Sequence, residues 1–90
     1  MSPVQRTVLV SNRRGLHARA SAKFVNTVHD LPCHVEVEKD GNRVCGTSIM
    51  GLMMLGAARG DSIEISAEGD GADEAVARLT ALVEDKFGEE

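Results

Sequence analysis

The chain has no tryptophan and no tyrosine, and only two phenylalanines, two cysteines and two prolines among its 90 residues. Without aromatic rings to stack on bases, it lacks a platform for single-stranded nucleic acid. Two cysteines, Cys33 and Cys45, do not make a disulfide framework. No apolar run approaches the length that crosses a bilayer, and residues 1–15 lack the uninterrupted apolar segment of a secretion signal. These absences point to a soluble cytoplasmic protein with no membrane insertion. The apolar fraction of 42% is ordinary but almost wholly aliphatic. One domain over residues 1–90, with a small core and no room to enclose a substrate, is the expectation. Any chemistry then belongs on the surface.

The charge that is present is unevenly placed, although the formal balance is only −4. Residues 1–30 hold Arg6, Arg13, Arg14, Arg19 and Lys23 against Asp30 alone. Residues 61–90 hold ten acids against Arg78 and Lys86. A basic first third suits an acidic protein surface or a phosphate, whereas the acidic last third argues against nucleic acid as a partner.

Periodicity supplies the elements. Residues 6–11, "RTVLVS", are short and β-branched and read as a strand. Leu16, Ala20, Phe24 and Val28 then recur at helical spacing until Pro32 closes the segment. From Cys33 the pattern alternates, with Val35 and Val37 on one face and His34, Glu36 and Glu38 on the other. Asp40-Gly41 signals a hairpin, so residues 43–46 return antiparallel. Ile49, Leu52, Met53 and Leu55 define a short helix, irregular at Gly51 and Gly56. Residues 62–69 alternate again, and Ala72, Val76, Leu79 and Val83 mark a last helix with acids in its first turn. The order βαββαβα predicts an α+β fold, a four-stranded antiparallel sheet with three helices on one face.

One short stretch stands apart. "NRRGLHARAS", residues 12–21, sets His17 between a glycine turn and the first turn of the first helix, among three arginines. Amides at a helix N-terminus lack intrahelical partners, and the helix dipole there favours negative charge. A neutral imidazole held at that point can take a phosphoryl group on one ring nitrogen and keep it until another protein collects it. The amides of Ala18 and Arg19 and the Arg19 guanidinium would meet the phosphoryl oxygens, and Gly15 lets the chain turn. The plain alternative is a histidine that only caps the helix beside solvated arginines.

"GLHARASAKFV" resembles the active-site segment of HPr, the histidine-containing phosphocarrier family of the bacterial phosphotransferase system. "GTSIMGLMMLGAARGDSIEISAEGDGADEA" resembles the family's regulatory-serine segment and the strand and helix that follow. The resemblance covers nearly the whole chain and implies an open-faced β-sandwich. It also implies that His17 accepts a phosphoryl group from phosphorylated enzyme I and passes it to a histidine of an EIIA-type protein. Arg19 becomes the phosphate-assisting arginine, and Ser48 matches the serine phosphorylated by a dedicated HPr kinase/phosphorylase in some branches. Ala20 stands where the family usually has proline, and Thr47 where the kinase-regulated branch often has lysine. "NRRG" is similar to the nitrogen-related paralogue, which serves a regulatory relay and not sugar uptake.

The remaining features carry less. Ser48 is also a plain helix cap. "IMGLMML" holds more apolar residues than one stripe of a short helix can bury, so Ile49, Leu52 and Met53 are expected to centre a docking patch rimmed by Arg13, Arg14 and Arg19. The cysteines and His29 and His34 match no zinc spacing, so no metal is expected, and no cofactor either. "GAARGD" lacks the lysine that ends a phosphate-binding loop. The reading is a monomeric phosphocarrier, a co-substrate and not an enzyme. Its rivals are a nitrogen-related relay carrier and a non-phosphorylated adaptor that uses the same basic and apolar surface.

Overall fold

The computed structural model describes residues 3–89. Four strands, β1 (Val4–Leu9), β2 (His34–Lys39), β3 (Asn42–Cys45) and β4 (Ser62–Glu68), form one sheet in the order β1-β4-β2-β3. Every neighbouring pair is antiparallel. Three helices, α1 (Ala18–His29), α2 (Ile49–Met54) and α3 (Ala72–Glu84), pack on one face, and a single 3₁₀ turn over Lys86–Gly88 ends the described chain. This is the expected open-faced α+β sandwich. β1 lies two residues earlier than the β-branched run suggested, because pairing begins where Val4 meets Ala67.

Alternation fixes which side of the sheet is dry. Val35, Val37, Ile63, Ile65 and Ala67 are buried against the helices, joined by Phe24 and Val28 of α1 and Leu79 and Val83 of α3. The other face is polar, with Arg43 of β3 reaching Glu36 and Glu38 of β2 at 2.8 Å each. The β2–β3 hairpin closes through Asp40 and Gly41, both at positive φ (51° and 83°). That conformation matches the right-handed twist of paired strands. The register sets Cys45 opposite Glu36, so it lies on the outer face while Cys33 precedes Val35 on the inner one. The two thiols therefore do not meet.

Two connections position the first helix. Gly15 has φ 63°, and a Cβ there would stand 2.2 Å from the Ala57 carbonyl oxygen. Its neighbour Leu16 donates its amide to that same oxygen at 2.9 Å. The turn before α1 is thus pressed against the loop after α2, and no side chain fits between them. Phe87 does the matching work at the other end of the chain: it is fully buried, and its carbonyl accepts from Lys23 Nζ of α1 at 2.7 Å.

Gly15→Ala combines left-handed strain with a backbone clash, so the variant should lose about 2–4 kcal/mol of stability. Urea unfolding checks this, with Gly41→Ala as the control because a Cβ there meets nothing within 4 Å.

Candidate functional site

His17 is the N-cap of α1, in extended conformation (φ −74°, ψ 179°). Its ring nitrogen Nδ1 accepts from the Arg19 backbone N–H at 3.3 Å, and its carbonyl accepts from the Ser21 amide at 2.9 Å. The histidine therefore does what serine or aspartate usually does at a helix start: it answers a main-chain donor that the helix leaves unpaired. Ser21 is buried and returns its hydroxyl to the Leu16 carbonyl at 3.2 Å, which fixes the backbone on both sides of the imidazole.

The ring is held from its other edge as well. Nε2 lies 2.5 Å from Oε2 of Glu89, leaving the His17 side chain 17% exposed. Asn12, fully buried, donates through Nδ2 to Oε1 of Glu89 at 3.2 Å and to the Gly15 carbonyl at 2.8 Å. Burial alone would push the Glu89 carboxyl up. The Asn12 and His17 hydrogen bonds and the charges of His17 and Lys23 outweigh it and hold the carboxyl below the usual carboxylate range.

The other residues singled out from the sequence fall around this centre. Ala18 and Arg19 are the first two residues of α1 and are exposed, and the Arg19 guanidinium makes no ion pair among the described residues. Arg13 and Arg14 are exposed in the turn that leads to Gly15. Ala20, at the usual proline position, is fully buried in the first turn of the helix. Ser48 caps α2, its Oγ accepting from the Gly51 amide at 2.9 Å.

The expected apolar patch needs one correction. Leu52 is fully buried, so it belongs to the core and not to a docking surface. In a six-residue helix that packs on α1, Leu52 points inward together with Leu55, one turn on. The outward residues are Ile49 and Met53, each 40% exposed, with Met50 and Met54 more open still. Spacing identified the helix but not its inner side, because five of its six residues are apolar. Asn12 and Glu89 also escaped the sequence reading. They lie 77 positions apart, and no local pattern announces their contact.

An antiparallel sheet with helices on one face, and a histidine that caps the first helix beside an exposed basic turn, is the architecture that the comparisons with known proteins share. The chain belongs to the HPr family, the phosphocarriers of the phosphotransferase system. A family model described as "PTS HPr component phosphorylation site" matches residues 4–85. Phosphocarrier protein HPr of Neisseria meningitidis is 50% identical over 88 residues, which span 96% of this chain and 97% of that protein. The HPr-like protein Crh of Bacillus subtilis is 39% identical over 83 residues, or 92% of this chain and 98% of Crh. Among solved structures, HPr from Thermoanaerobacter tengcongensis superposes with a TM-score of 0.92 at 45% identity, covering 97% of this chain and 98% of that one.

The lowered Glu89 carboxyl has a sign that can be followed in solution. Its contact with Asn12 and His17 contributes fully above the ordinary carboxylate range and is lost as pH falls through the lowered folded value. The unaltered protein should therefore melt above Glu89→Gln at about neutral pH, and the two melting temperatures should converge in acid below that range. Thermal melts across pH, followed by circular dichroism, measure the difference.

Proposed function

We propose that this chain carries a phosphoryl group on His17, taking it from phosphorylated enzyme I and delivering it to a histidine of an EIIA-type protein. The observation that carries the reading is the placement of Nδ1. It faces the mouth of α1, whereas Nε2 is occupied by Glu89. Nδ1 is therefore the nitrogen from which an N–P bond can form as the donor's own N–P bond breaks. The new phosphoryl oxygens would lie near the Ala18 and Arg19 amides, displacing the long bond that Arg19 makes to the ring. The Arg19 guanidinium supplies charge-assisted hydrogen bonds to the dianion. The protein is then a co-substrate and not an enzyme, acting as a cytoplasmic monomer with one HPr-like domain.

Partners dock on the same side of the molecule. Ile49 and Met53 form the apolar centre, extended by Met50 and Met54, and Arg13, Arg14 and Arg19 form a basic rim that attracts acidic surfaces. Ser48 is the control position for an HPr kinase/phosphorylase. Its hydroxyl now accepts from Gly51, and a phosphate there would add a dianion beside the exposed apolar residues of α2. The relay serves sugar uptake or its regulation, in keeping with the phosphotransferase-system relatives, and the nitrogen-related relay is the alternative.

Incubation with enzyme I and phosphoenolpyruvate should add one acid-labile phosphoryl mass, absent in His17→Ala. A gain that survives His17→Ala places the chemistry elsewhere. An adaptor would show no gain and would bind its partner equally well without the imidazole. In titrations against enzyme I, Met53→Ala and Arg19→Ala should each weaken binding, by about 5–30-fold for the loss of one apolar contact or one charged contact. Unchanged affinity in both variants removes the docking surface.

A further inference from the structure

We infer that Glu89 is a positioning residue for the phosphoryl acceptor, and that Asn12 orients it. This inference rests on the reading of His17 as that acceptor. A backbone N–H can only donate, so the Arg19 amide facing Nδ1 requires a lone pair on that nitrogen. A neutral imidazole has one N–H, which must then sit on Nε2. That nitrogen points at Oε2 of Glu89, 2.5 Å away. The carboxylate therefore selects the tautomer in which Nδ1 is the nucleophile.

The carboxylate is itself fastened. Oε1 accepts from Asn12 Nδ2, and the same amide nitrogen donates to the Gly15 carbonyl. Both neighbours of that nitrogen are acceptors, so a turned-over Asn12 amide would set oxygen against oxygen. Asn12 is fully buried and cannot trade these contacts for water. Phe87, seated in the core and tied to Lys23, brings the tail to this point. The other charged group that acts on Glu89 is Lys23 of α1.

Phosphoryl transfer sets the chemical demand. As the Nδ1–P bond forms, the donor's N–P bond breaks and its electron pair returns to the donor ring. The His17 ring then carries positive charge, with its proton still on Nε2. A fixed carboxylate on that proton stabilises the cation and holds the ring in plane for attack, as a buried carboxylate does for histidine in hydrolytic triads. No proton enters or leaves, so delivery to the next histidine is the same step reversed.

The test uses the full chain as unaltered protein, Glu89→Gln and Glu89→Ala. Nitrogen and proton NMR of the His17 ring is recorded without any phosphoryl donor, at a pH where the ring is neutral. In the unaltered protein the Nε2 hydrogen should be visible and slow to exchange with water. Exchange should be faster in Glu89→Gln, whose amide oxygen still accepts, and fastest in Glu89→Ala. Transfer from phosphorylated enzyme I should then show kcat lowered about tenfold in both variants, the loss of a charge-assisted hydrogen bond, with KM for the carrier changed by less than about twofold. Wild-type exchange or a wild-type kcat in Glu89→Ala overturns the inference. If the unaltered protein gains no phosphoryl group at all, the functional reading fails instead, and the ring's NMR signature still decides whether Glu89 positions it.

Discussion

The arrangement depends on one cap. His17 closes the N-terminus of α1 with its own Nδ1, so the imidazole and the helix start are a single structural unit. A capping side chain is ordinarily chosen for stability alone. Here the cap is an imidazole, and the helix that needs it also supplies the amides and the dipole that suit an anion. Whatever holds α1 in place therefore holds the ring: the Gly15 turn pressed on the Ala57 carbonyl, the buried Ser21, and the apolar stripe of Ala20, Phe24 and Val28 against the sheet.

The chain's small size shapes the rest. A core with only two aromatic residues has little interior to spare for a site, and His17, partly exposed, gains its surroundings from the first turn of α1 and from Glu89. The tail does this by burying Phe87 and turning Glu89 back onto the ring, at positive φ for both Lys86 and Phe87. Residues with side chains rarely adopt that conformation without a compensating gain. Burial of an entire phenyl ring is such a gain.

The sheet and helices were legible because their periods differ. Alternation marked Val35, Val37, Ile63 and Ile65, fours and threes marked Leu16, Ala20, Phe24 and Val28, and Asp40-Gly41 marked the hairpin. The place of His17 at the helix start was legible because glycine, arginines and the apolar stripe of α1 are adjacent in sequence. α2 resisted, since a nearly all-apolar segment has no polar face to say which side is inside, and Leu52 proved to be core. The 3₁₀ turn and Glu89 had no sequence signal either. Their placement follows from where Phe87 finds a cavity between α1 and α3, a tertiary fact that no local pattern encodes.

The claim that Nδ1 of His17 is the transferable site is tested most directly by coupling between phosphorus and ring nitrogen in the phosphorylated, nitrogen-labelled protein. The account predicts one-bond coupling at Nδ1, with the hydrogen retained at Nε2. Phosphorus coupled to Nε2, the nitrogen that Glu89 occupies, would contradict it.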